Sequence, residues 1–326
     1  MRFQVLSEAD VRSVLPIADL VEPMARALTA YSAGEVVQPL RSVVRVASGP
    51  GFFGLMPAYV PGDGALGAKL VTVFANNASR GLRSHQATIV LFDEETGEMR
   101  AVMDGRYITV VRTAAASAVA ARQLARPDAA RLAILGSGVQ ARSHLMAFAA
   151  TRDLASVCVW SPTADHRERF AQDMSGAVPC PIATAVEPDA CVRDADLVVV
   201  ATSARTPVLH DGAVGLGTHV TAVGACRPDE REMDTDLLCR ARLFVDSRES
   251  ALSESGDVIA AADRSEGTAV PAAEIGETLA GRAPGRETRE EVTIFKSLGL
   301  AVEDLAAAQL AYSRAVVRGM GRFVEL

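Results

Sequence analysis

Residues 131–144, RLAILGSGVQARSH, constrain the fold more than any other stretch. A short apolar run at 132–135 meets Gly136, Gly138 and Ala141 in the spacing G-x-G-x-x-A, and a helix-compatible segment follows at once. Gly136 lets the chain leave a strand sharply, Gly138 lets a pyrophosphate approach the backbone, and Ala141 lets the helix pack close to the sheet. The free N–H groups of the helix N-terminus then face the phosphates. Three small residues say little in a chain with 25 glycines. Between a strand and a helix they predict a dinucleotide-binding turn.

A chain of 326 residues is long enough for about two domains. Its 49% hydrophobic and 22% charged residues suit a soluble globular protein. A net charge of −7 without a long Lys/Arg cluster argues against a nucleic-acid partner. No apolar run reaches the roughly 18 residues of a membrane span. The N-terminus MRFQVLSEADVRSVL carries charges where a signal peptide is apolar, so the expected compartment is the cytoplasm. Cys158, Cys180, Cys191, Cys226 and Cys239 form no C-x-x-C pair and read as reduced thiols. His85, His144, His166, His210 and His219 lack ligand spacing, so no metal is expected.

Along the chain, residues 1–33 read as two short helices, the first capped by Ser7. Residues 36–104 read as five antiparallel strands, PLRSVVRVA, FFGLMPAYV, ALGAKLVTVF, HQATIVLFD and EMRAVMD, with turns at 49–51, 61–64, 76–81 and 94–97. An Ala-rich helix follows to Arg126 and ends against Pro127. From 131 to 246 strands and helices alternate, which predicts a parallel sheet with helices on both faces. Residues 282–289 read as an exposed loop, 292–299 as a strand, and the segment from Ala301 as a long amphipathic helix able to pack back on the first domain. The expected fold class is α/β, a Rossmann-like doubly wound domain (113–302) inserted in an α+β domain (1–112 plus 303–326).

In enzymes using NAD an acidic residue about 20 positions past the first glycine usually meets the ribose 2′-OH. Here Trp160, Ser161 and Pro162 stand in its place, and Arg167 follows, either as a phosphate ligand or as a solvated helix charge. The reading is NADP(H) preferred, with NAD(H) possible. Charges also lie within apolar strands of the first domain: Arg41 and Arg45 on one strand face, Lys69 in GAKLVTVF, and Arg112 in the Ala-rich helix. A buried charge costs several kcal/mol unless a partner or ligand offsets it, so together they suggest a small cationic pocket for a carboxylate. Cys226, just past Gly224 and Ala225 at a strand's carboxyl edge, either faces the reacting carbon or packs as a small hydrophobe.

Several strings resemble the ornithine cyclodeaminase/μ-crystallin family in order along nearly the whole chain: LMPAY, GAKLVTVF, SHQATIVLFD, RTAAASAVA, LGSGVQA, GACRPDERE, VDSRESALSESGDV and FKSLGLAVED. The resemblance implies a homodimer built through the first domain, with the active site in the cleft between the first domain and the Rossmann domain. It implies that Arg41, Lys69 and Arg112 hold the α-carboxylate of an imino, amino or keto acid, with Arg112 and Thr113 near the cofactor. It assigns the pyrophosphate to Gly136, Ser137, Gly138, Val139 and Gln140, the adenosine ribose or its phosphate to Ser161 and Thr163, and the rest of the dinucleotide to Thr202 and Ser297. Arg41 is favoured over Arg45 by its place in QPLR, although a two-residue gap would reverse the choice.

Cyclodeaminases of this family carry a catalytic Asp where this chain has Cys226. The string GACRPDERE resembles instead the μ-crystallin branch, whose members reduce cyclic ketimines. Without that carboxylate an obvious base is missing. The expected activity is NAD(P)H-dependent reduction of a small cyclic ketimine carboxylate, with Lys69, Arg112 and Cys226 as catalytic candidates. The alternatives are a cyclodeaminase, an open-chain amino-acid dehydrogenase and a non-catalytic cofactor-binding protein.

Overall fold

A computed structural model describes residues 2–46, 51–62, 64–264 and 271–325. The chain divides into two compact units, Met1–Arg112 with Leu300–Leu326, and Thr113–Gly299, so the second is inserted in the sequence of the first.

The first unit contains a seven-stranded mixed sheet. Its strands are β1 (Arg2–Leu6), β2 (Ser42–Val46), β3 (Gly51–Val60), β4 (Ala65–Phe74), β5 (His85–Phe92), β6 (Met99–Asp104) and a last strand, Arg322–Glu325. The spatial order is Arg322–Glu325, β1, β6, β5, β4, β3, β2. β2 to β6 form an antiparallel series, whereas β1 runs parallel to β6 and antiparallel to the last strand.

In this unit two strands escape the periodicity reading. Residues 2–6, expected to be helical, are strand β1, and the helix begins only after Ser7, whose side chain joins a capping box with Asp10. The last strand is exposed along its whole length and therefore has no apolar alternation to read. Of the expected turns, residues 49 and 50 and Asp63 lie outside the described residues.

One face of the sheet packs on the helix Ala301–Val317, whose Ala307, Ala308, Ala311 and Ala315 are fully buried. Gly67 in β4 permits this approach: a Cβ there would run into the Val90 carbonyl oxygen and meet Leu305 at 3.1 Å.

The second unit is a doubly wound α/β layer. Its eight strands are β7 (Arg131–Leu135), β8 (Ser156–Trp160), β9 (Ile182–Ala185), β10 (Leu197–Val200), β11 (His219–Ala222), β12 (Arg242–Val245), β13 (Ala273–Glu274) and β14 (Thr293–Lys296). All pair in parallel, in the order β13, β12, β14, β11, β10, β7, β8, β9. The order reverses beside β7, the switch point at which such sheets bind ligands. Helices Arg248–Glu254 and Gly256–Arg264, unassigned from the Ser- and Asp-rich sequence, lie between β12 and β13. Residues 282–289 form the expected loop, although Arg286 is drawn inward, its Nε donating to the Leu124 carbonyl at 2.7 Å.

Candidate functional site

In the first unit the cross-strand register collects charge. Met56, Lys69, Ile89 and Met103 form one row across β3 to β6. The β2–β3 register, continued by one residue from Ser42 opposite Leu55, brings Arg41 level with Met56 and so into that row. Arg45 instead opposes Phe52, in the row of Val73 and His85, and is exposed. Arg41 is half-buried and near enough to act electrostatically on Lys69. Geometry therefore sets Arg41, rather than Arg45, beside Lys69.

Lys69 is 3% exposed. Its Nζ pairs with Asp304 Oδ2 at 2.5 Å, and Asp304 Oδ1 accepts from Arg112 Nε at 2.9 Å. Glu303 Oε2 accepts from Arg112 Nη1 at 2.7 Å. Both acids stand in the first turn of the helix Ala301–Val317, where the helix dipole also favours them. The sequence analysis singled out neither acid, and only the tertiary pairing reveals what they meet.

Burial, reinforced by the charges of Arg112 and Arg41, pushes the Lys69 ammonium down to about 8, against the opposing pull of Asp304. Burial works against the Arg112 guanidinium, yet Asp304 and Glu303 more than compensate and raise it. His85, desolvated and near Lys69, is pushed down to about 4 and stays neutral. The arrangement buries Lys69 and Arg112 beside two carboxylates, with one side chain able to give up a proton near neutral pH.

In the second unit the glycine turn has the predicted form. Gly136 has φ 122°, and a Cβ there would strike the Ala201 carbonyl oxygen. Its N–H donates to the Trp160 carbonyl at 2.8 Å, closing the turn against β8. At Gly138, the N-cap of the helix Val139–Thr151, a Cβ would meet nothing within 4 Å and no side chain caps the helix. Open space above uncapped N–H groups is the cradle that a pyrophosphate needs, so these residues fit a dinucleotide. Ala141 is fully buried. Ser137 and Gln140 are half-buried, and Val139 is exposed.

At the end of β8 the Ser137 hydroxyl donates to the Ser161 hydroxyl at 3.1 Å. Arg167 Nη1 donates to the Ser161 carbonyl at 3.1 Å, which ties its guanidinium to this edge, and Thr163 is exposed. Thr113, directly after Arg112 in the helix Gly105–Leu124, is buried, and its carbonyl accepts from Ser117.

The remaining candidates sit on buried carboxylates that sequence reading did not single out. Glu232 Oε1 accepts from the Thr202 N–H and hydroxyl, both at 2.7 Å, while Oε2 accepts from the N–H groups of Gly224 (2.6 Å) and Ala225 (2.9 Å). Asp257 Oδ1 accepts from the Glu232 and Met233 N–H groups, and its Oδ2 lies 3.4 Å from Lys296 Nζ. Asp246 Oδ2 accepts from the Ser297 hydroxyl and from the Leu298 and Gly299 N–H groups. Cys226 packs partly against the apolar core of this unit, and its thiol donates to the Val223 carbonyl at 3.4 Å. Among the described residues no cluster of His, Cys, Asp or Glu suits a metal ion, and no helix is long and apolar enough to cross a membrane.

Known proteins resemble this chain over most of its length. The chain is 44% identical over 296 residues to the ketimine reductase mu-crystallin of Mus musculus, covering 90% of this chain and 91% of that one. Its fold superposes with a TM-score of 0.94, at 36% identity over 98% of this chain and 99% of the other, on Thermococcus litoralis Delta(1)-pyrroline-2-carboxylate reductase in complex with NADH and L-proline. An archaeal alanine dehydrogenase dimer with bound NAD matches with a TM-score of 0.94 at 30% identity, over the full length of both chains. The model of the ornithine cyclodeaminase/mu-crystallin family matches residues 1–319, and the chain belongs to that family.

Proposed function

We propose that this chain is an NAD(P)H-dependent reductase of a small cyclic ketimine carboxylate, of pyrroline or piperideine carboxylate size. The observation that carries the reading is the buried Lys69, held at about 8 beside Arg112 and Arg41. Lys69 and Arg112, both buried, with Arg41 in the same sheet row as Lys69, favour an incoming carboxylate, and Arg112 suits a fork-shaped contact with it. A reduced nicotinamide dinucleotide, cradled at residues 136–140, supplies the hydride. Arg41 and Arg112 fix the substrate's carboxylate, and Lys69 gives a proton to the imine nitrogen as its carbon is reduced. Cys226, where cyclodeaminases have a carboxylate, leaves no base at that position to activate water or an amine, which favours reduction over ammonia release.

For the cofactor the reading is NADP(H) in preference to NAD(H), because no carboxylate ends β8 and Arg167 is tied to Ser161 there. A homodimer is supported by the outer strand β2, whose Val43 and Val44 are 51% and 60% exposed on an unpaired sheet edge. The test is cofactor oxidation at 340 nm against a panel of cyclic and open-chain imines, run with NADPH and NADH. Stoichiometric oxidation with a cyclic imine carboxylate and a lower KM for NADPH are expected. Ammonia release from a diamino acid with only catalytic cofactor would establish the cyclodeaminase instead.

A further inference from the structure

Lysine occurs twice in the chain, at 69 and 296, and every other basic residue of the 33 is arginine. Both lysines are buried, so this protein uses arginine wherever it needs a surface cation. At 69 a guanidinium would also hold a carboxylate, but it does not release a proton. An ammonium there marks a demand for proton transfer.

We propose that Asp304 is a positioning residue for that transfer: it clamps the Lys69 ammonium beside the Arg112 guanidinium and keeps it charged, ready to protonate the imine nitrogen. The proposal rests on the reductase reading above. Each Asp304 oxygen holds one cation, Oδ2 the Lys69 Nζ at 2.5 Å and Oδ1 the Arg112 Nε at 2.9 Å, so one rigid carboxylate sets the spacing of both. Asp304 is fully buried, which leaves it no solvent to turn towards. Glu303 binds Arg112 and helps fix the guanidinium plane.

Among the described residues, the titratable and charged groups that act on Lys69 are Asp304 on the helix Ala301–Val317, Arg112 on the helix Gly105–Leu124, Arg41 ahead of β2 and the neutral His85 on β5. Burial and the two arginines all favour the neutral amine, and Asp304 is the carboxylate that opposes them. In the reaction the imine carbon gains the hydride, and the nicotinamide that supplies it is oxidised by two electrons. The C=N π pair becomes an N–H bond to the Lys69 proton. Lys69 is left as a neutral amine and regains its proton from water.

With two lysines, selective isotope labelling gives two side-chain NMR signals, and Lys69→Arg assigns them. In wild type the Lys69 midpoint is expected near 8. In Asp304→Asn it should fall by about one pH unit or more, the size expected for losing an adjacent opposite charge. The basic limb of the kcat profile should fall with it, so that the variant works near normally at pH 6 and keeps about a fifth of wild-type turnover at pH 8, with kcat lowered more than KM is raised. An unchanged midpoint, or a loss of kcat equal at every pH, would overturn the proposal. If Asp304→Asn does not fold, Asp304→Glu decides: it keeps the charge but shifts it by a methylene, and an undiminished kcat is the overturning result. A wild-type enzyme that reduces no imine removes the reading underneath. A working reductase whose Lys69 ignores Asp304→Asn removes this proposal alone.

Discussion

Gly136 shows how one residue couples fold to function. Its φ of 122° lies where side chains are strained, and its missing Cβ leaves the space that the Ala201 carbonyl fills. Gly136→Ala should cost about 1–3 kcal/mol from the backbone conformation alone. It should also displace the turn and abolish dinucleotide binding. Thermal unfolding and titration of NADH fluorescence check both, and a variant that binds NADH normally would contradict the assignment of the cradle. The motif spacing named this residue because the turn needs particular small residues at particular positions. The place of Arg41 in QPLR favours it over Arg45 only if no gap intervenes, since two residues of identical chemistry on one strand face differ only in which row they join. The β2–β3 register puts Arg41, and not Arg45, level with the row of Lys69.

Among the elements, the regular alternation of 131–246 was legible because each buried parallel strand is a short apolar run between helices. Termini and carboxylates were not. β1 and Arg322–Glu325 lie towards one edge of a sheet whose pairing joins the two ends of the chain, and no local window contains both partners. Glu232 reads in the sequence as one charge in a charged string, yet it ties the ends of β10 and β11 together through four donors. Glu232→Ala leaves those donors without their acceptor, at about 1–3 kcal/mol for each one that stays buried. A loss of roughly 3 kcal/mol or more is expected in urea unfolding, together with weaker cofactor binding. A loss below about 1 kcal/mol would mean that water replaces the carboxylate easily.

For the molecule as a whole, buried imidazoles set the acid limit of stability. Burial pushes His144 and His85 down to about 4 and His219 down to about 3. His144 bridges Gln140 and Ser117, and His219 bridges Thr293 and Thr221. Unfolded histidine takes up a proton near 6.5, so below that pH the unfolded chain binds more protons than the native one. The stability present above 6.5 should be lost progressively as pH falls towards 4. Melting temperatures measured from pH 7.5 to 4.5 should decline through this window, and a flat profile would show that the rings are not held neutral. The sequence by itself determined the doubly wound unit, the glycine turn and the identities of Lys69 and Arg112, because those signals are local: strand–turn–helix spacing, and charges within apolar runs. Only the tertiary structure decided that Arg41 joins the row of Lys69, that Asp304 clamps Lys69 to Arg112, and that Glu232 holds Thr202. Each of those pairings closes a loop of many residues, and nothing in a local window records which distant group will satisfy a buried charge.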